Sequence, residues 1–251
     1  MRDAWRLAVG TLSAVPVRAP AQVDRRTAGH AMLLAPLAVI PLGALVALIG
    51  WAGHRGSVPP VVVAVVSLGA LAAGNRALHW DGLSDTVDGL AASYDARRSL
   101  AVMRSGTAGP AGVVAIVVVL GIQAAALVSL VHTTRGVVLA GVLVCLSRCA
   151  LVLTCARGVP GARTDGLGSS YTGTVPRTAA VVVWVLAAAI AASVASWAGV
   201  DWWRALAGVG AAAVVVLALV RRTTRRFGGV TGDVFGAAIE LALATLLVSV
   251  A

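Results

Sequence analysis

The chain has 251 residues, 59% of them hydrophobic and 12% charged, with a mean hydropathy of +0.92. That excludes an ordinary water-soluble domain, which runs at about 45–50% apolar. All 20 basic residues are Arg, and the net charge of +10 would suggest nucleic acid in a soluble protein; beside membrane helices such charges mainly set topology, so no nucleic-acid partner is expected.

Taken in order, residues 1–31 form an N-terminal segment. Asp3 and Arg6 interrupt the pattern of a signal peptide, and the segment reads as an amphipathic stretch on the cytoplasmic surface. Seven apolar runs follow, at 32–53, 58–78, 111–131, 136–156, 178–199, 202–220 and 233–251. About 20 such residues cross the hydrocarbon as a helix. The expected fold is therefore all-α: one domain over 1–251, a polytopic integral membrane bundle of about seven transmembrane helices. Its longest non-spanning stretch is a loop at 79–110. Segments 1–31, 79–110, 157–177 and 221–232 carry five, three, three and four Arg, whereas the opposite loops hold only Arg55, Arg135 and Arg204. Positive charge stays inside, which predicts N-in and C-out. Trp51, Trp197, Trp202 and Trp203 fit an outer interfacial belt. Cys145, Cys149 and Cys155 lie in or beside one span, without nearby His, and read as packing residues.

The acids are distributed unevenly. Of nine Asp and one Glu, only Asp201 falls outside in this topology. Asp81, Asp85 and Asp88, in "HWDGLSDTVDGL", are spaced i, i+4, i+7, within about 60° of one another on a helix. Three carboxylates on one narrow face repel; a hard divalent cation, Mg²⁺ where phosphates complete its shell, would offset this. Gly82 and Gly89 leave room for a ligand beside the backbone. In "TGDVFGAAIEL", Asp233 and Glu240 share a face about 10 Å apart along the axis. Glu240 is the only Glu and lies two turns inside an apolar span, where an acid marks function or an ion pair with an Arg such as Arg148. Arg148 itself snorkels, pairs or faces a phosphate. "RRTTRR", residues 221–226, reads first as a topology signal. His79 is open to three roles: metal ligand, general base or interfacial polar residue. Carboxylates for metal and Arg for phosphate at one membrane face point to phosphoryl transfer.

"ALHWDGLSDTVDGL" and "GGVTGDVFGAAIEL" resemble the two signatures of the cobalamin synthase family, the adenosylcobinamide-GDP ribazoletransferases. Ser147–Arg148, the "DGLG" of Asp165–Gly168, and the proline-bearing "TLSAVPVRAP" and "APLAVIPLGA" extend the likeness over nearly the whole chain. Two departures are visible: Ser105 stands where the family carries Asp, and Trp80 replaces a usual Leu. The resemblance implies a Mg²⁺-dependent enzyme of the bacterial cytoplasmic (inner) membrane, multi-pass, with its active site facing the cytoplasm. It would join adenosylcobinamide-GDP to α-ribazole or α-ribazole 5′-phosphate and release GMP. On that reading Asp81, Asp85 and Asp88 hold metal, while Asp233 and Glu240 complete its shell or orient α-ribazole. Asp88 or His79 takes the ribose hydroxyl proton. Arg76 and Arg148 hold phosphate, with Asp165, Gly82, Gly89 and Gly232 in the substrate-binding set.

Two rival classes remain. A CDP-alcohol-type phosphotransferase acting on a lipid shares the metal logic, yet no Ala-Arg follows Asp81-Gly82 at that motif's spacing. An ion-coupled transporter would also bury acids, but would place them mid-bilayer. Beyond the lipid bilayer and the substrates, the sequence leaves a homo-oligomer open.

Overall fold

A computed structural model describes residues 1–251, apart from the side chain of Leu167. The chain is helical throughout; among the described residues the only β pairings are the isolated bridges Ala156–Val175 and Gly161–Val230. Six helical stretches are long and apolar enough to cross a membrane, and a pair bent by 90° makes a seventh if it counts as one span.

The N-terminal segment carries a helix of its own. Helix α1 (Arg2–Leu12) buries Ala4, Ala8, Val9 and Leu12 and packs on α2 (Arg25–Ala38), so it is docked on the bundle by a stripe of mostly small side chains. The Ala14 N–H donates to the Gly74 carbonyl at 2.7 Å. Asp24 caps α2 by accepting from the Thr27 N–H at 2.7 Å, and that bond holds its carboxyl below the usual range. Helices α2 and α3 (Ile40–Arg55) together make one 31-residue span, broken at Val39 between Pro36 and Pro41, residues that withhold a backbone donor.

Helix α4 (Pro60–Gly74) stops after 15 residues. Arg76 and Ala77 then adopt φ of 59° and 56°, a region that L residues with side chains rarely enter. The chain leaves this corner at 90° as α5 (Leu78–Ala92). The expected loop at 79–110 is therefore two helices, α5 and α6 (Ala96–Val102), with residues 93–95 and 103–109 irregular. Burial explains the difference: His79, Trp80, Gly82, Leu83, Thr86 and Gly89 all face inward.

Helix α5 lies across one end of the bundle instead of through it. It meets the first turns of α7 (Pro110–Leu130) and α13 (Gly232–Val250) and the end of α12 (Trp202–Phe227). Glycines permit the crossing. A Cβ on Gly82 would come within 2.6 Å of the Asp233 carbonyl oxygen, and one on Gly236 within 2.9 Å of the His79 backbone. Gly82 and Gly89 thus serve helix packing, the latter against Met103 and Phe227; neither keeps space for a ligand.

Helix α8 (Thr134–Leu146), a 3-10 turn (Ser147–Cys149) and α9 (Ala150–Thr154) form one span over Thr134–Thr154. That span and α13 are the interior of the bundle, with 78% and 72% of their apolar stretches buried, against 22% for α11 (Arg177–Ala198). The three cysteines are free thiols, and Cys149 and Cys155 pack in the core. The "RRTTRR" stretch continues α12 as its last turns. Between α9 and α11 the chain forms an irregular arm containing the short α10 (Leu167–Tyr171).

Candidate functional site

The three aspartates of α5 share a face, as their spacing predicts, but they meet different surroundings. Asp81 is exposed, Asp85 is half-buried and Asp88 is buried. Asp88 accepts from the Gly109 N–H at 2.7 Å and the Gly112 N–H at 2.8 Å, so both its oxygens serve the start of α7, where first-turn donors lack helical partners. Desolvation, followed by the charges of Asp81, Asp233 and Asp88, pushes the Asp85 carboxyl up to about 6.

Beside this face opens a cavity of about 390 Å³, within the size range of small-ligand sites. Asp81, Asp165 and Asp233 line it together with Arg76 and Arg163, and His79, Gly232 and the α1 residues Gly10 and Thr11 also contribute to the wall. The left-handed corner aims Arg76, whose Nη2 donates to the Gly10 carbonyl at 2.9 Å. Arg163 Nη2 donates to the Leu100 carbonyl at 2.9 Å, leaving Nη1 3.9 Å from Asp233 Oδ2. Thr231 caps α13, and its hydroxyl donates to Asp233 at 3.1 Å. Asp165 accepts from Arg104 at 2.6 Å in an exposed pair. The hydroxyls of Thr11 and Tyr171 lie 3.2 Å apart, and Tyr171 meets Phe235 edge-to-face at 6.4 Å.

Deeper, Glu240 is fully buried among polar residues from other helices. The Gln123 amide donates to its Oε2 at 2.9 Å and to its backbone carbonyl at 3.1 Å. His79 Nδ1 lies 3.4 Å from Glu240 Oε1 and 3.2 Å from the Asn75 amide nitrogen. With Nδ1 held there, Nε2 has no protein partner among the described residues, and the ring lines the cavity. Arg148 is also fully buried. Its Nη1 donates to the Val144 carbonyl at 2.7 Å and to Ser147 Oγ at 2.9 Å, while Nε and Nη2 have no partner among the described residues.

Against this geometry, a family model for cobalamin-5-phosphate synthase matches residues 4–251. The chain belongs to that family. A relative named adenosylcobinamide-GDP ribazoletransferase from Nocardioides sp. is 59% identical, over 99% of this chain and 98% of its own. Relatives of the same name from Frankia casuarinae and Ectopseudomonas mendocina are 38% and 33% identical, over 97% and 98% of this chain and 92% and 97% of theirs. No solved structure matches the chain.

For a member of this family, the acids inferred from sequence do not form one shell. Asp81 and Asp233 are brought to the cavity, with Asp85 close enough to feel both charges. Asp88 caps a helix instead, and Glu240 is held among Gln123 and His79. Among the described residues, no three His, Cys, Asp or Glu side chains converge as a ready-made metal cage. Arg76, Asp165 and Gly232 line the cavity; Arg148 does not. Nor does Arg148 make an ion pair with Glu240, one of the alternatives open from sequence, within 4.0 Å among the described residues. Ser105, at the departure from the family pattern, bonds to the Val102 carbonyl and Thr107 in the exposed loop before α7.

Sequence reasoning missed Arg163, Asn75 and Gln123. Arg163 was visible only as loop charge. Asn75 is the only Asn in the chain, and Gln123 interrupts an apolar span; an isolated amide in such a run signals a buried partner.

Proposed function

We propose that the chain joins adenosylcobinamide-GDP to α-ribazole or its 5′-phosphate and releases GMP, the step that assembles the nucleotide loop of cobalamin. The observation that carries this reading is the 59% identity to a relative of that name over 99% of the chain. In the reaction a ribose hydroxyl oxygen of α-ribazole bonds to the phosphorus next to the corrin side chain. The bond from that phosphorus to the GMP oxygen breaks, and GMP leaves with the electron pair.

The cavity supports roles for this chain's own residues. Arg76 and Arg163 offer paired donors to the diphosphate. In the tautomer whose Nδ1–H points to Glu240 Oε1, His79 presents Nε2 to take the ribose proton; Asp88, whose oxygens accept from the Gly109 and Gly112 N–H groups, does not line the cavity. The crowding of Asp81, Asp85 and Asp233 fits Mg²⁺, which is commonly bound through one or two carboxylates plus substrate phosphates and keeps several waters. When bound there, the metal would neutralise charge on the diphosphate and the departing GMP. The Arg-rich segments at this end support a site that faces the cytoplasm from a bacterial inner membrane.

The test is direct. Purified protein receives adenosylcobinamide-GDP, α-ribazole 5′-phosphate and Mg²⁺, and chromatography follows GMP and the corrin product. Equimolar, Mg²⁺-dependent appearance of both is expected; well-folded protein that forms neither refutes the assignment.

A further inference from the structure

A second concavity, of about 640 Å³, lies between α11 and α12, away from the cavity just described. Its body is apolar, and small residues such as Ala188, Gly210 and Ala213 keep it open. Arg157 and Arg177 stand at its mouth, both exposed and neither paired with a carboxylate among the described residues. Arg177 Nε donates to the Arg157 carbonyl at 2.9 Å, and its guanidinium covers Gly158, whose φ is +95°. The Arg177 guanidinium is thereby fixed beside the Arg157 backbone, at the end of the groove that both residues line.

From Arg177 the groove follows α11 to Ala188, a descent of roughly 16 Å at 1.5 Å per residue. That is about half the ~30 Å hydrocarbon thickness, the depth of one leaflet. Partway down, two turns below Arg177, the Trp184 indole N–H is buried without an acceptor. In hydrocarbon an unpaired donor is costly, and the described residues supply no acceptor for it.

We infer that this groove binds one anionic phospholipid, its phosphate between Arg157 and Arg177, an ester carbonyl accepting from Trp184 and an acyl chain along α11 and α12. Cationic mouth, hydrogen-bond donor and apolar channel occur in the order in which a phospholipid presents phosphate, ester and tail. A second copy of this chain seated symmetrically on the same face would oppose the same two arginines to their counterparts. Charge therefore favours lipid over self-association.

Detergent-solubilised full-length protein would be titrated with dioleoylphosphatidylglycerol or dioleoylphosphatidylcholine and read by native mass spectrometry. One phosphatidylglycerol is expected to be retained in preference to phosphatidylcholine. Arg157→Gln should weaken that retention about tenfold, as loss of a charge-assisted contact does, and Trp184→Phe a few-fold. Ala213→Leu, which fills the channel, should abolish it. Arg177 also holds backbone, so Arg157 and Ala213, whose side chains make no such bond, carry the test. Equal retention of the two lipids, or unchanged retention in Arg157→Gln and Ala213→Leu, overturns the proposal. So does a lipid-free dimer that Ala213→Leu disperses.

Discussion

Asp85 is crowded by the charges of Asp81, Asp233 and Asp88 while partly withdrawn from water. Its folded pKa of about 6 lies above the ordinary 3.8, so the folded protein keeps a proton that the unfolded chain has already released. This contribution to stability is full below about pH 4 and is lost as pH rises through about 6. Asp85→Asn should therefore flatten that part of the pH–stability profile and raise the melting temperature at pH 7 without divalent ions. The same change should lower turnover by at least about a hundredfold, the scale of removing one preorganised electrostatic group. Thermal melts and the GMP-release assay check the two halves; near-normal turnover removes Asp85 from the site. Helical spacing in the sequence placed Asp81, Asp85 and Asp88 on one face. It could not distinguish their roles, because the Gly109 and Gly112 donors that occupy Asp88 arrive from a different helix.

At the scale of elements, the crossing of α5 over α13 decides where the acids stand. Gly82 touches the Asp233 backbone, so contact between the helices and placement of the aspartates are the same event. Gly82→Ala should cost about 1–3 kcal/mol by overpacking and lower activity more than stability, since it displaces Asp81 and Asp85 together. Gly69→Ala on α4, where an added Cβ meets nothing within 4 Å, is the control: turnover unchanged and stability equal or higher. A melt and an assay on each variant suffice. The spanning helices were legible from hydropathy: run 111–131 is α7 (Pro110–Leu130), and run 233–251 is α13 (Gly232–Val250). The corner at Arg76–Ala77 was not, because neither residue is Gly or Pro and local sequence gives no reason for a left-handed pair. Tertiary contacts impose it, as expected where backbone strain is kept at a working site.

For the whole molecule the short α4 is the decisive element. Its 15 residues reach about 22 Å, less than the ~30 Å hydrocarbon, and the 90° corner marks the point where the chain stops descending. Counted as a crossing with α5, it gives seven spans and puts the two termini on opposite sides. A reporter fused after Ala251 should then read as external; a cytoplasmic signal would make α4–α5 re-entrant and leave six crossings.

The buried carboxyl of Glu240 has a consequence for how the protein is made. Its partners, Gln123 on α7 and His79 on α5, belong to helices synthesised long before α13. Until the final helix enters the bilayer, their polar groups lack an acceptor, and Glu240 in turn can leave water only by finding them. Insertion of the last helix and completion of the polar cluster are thus one coupled step, and a ribosome still short of α13 has yet to produce an assembled reaction chamber.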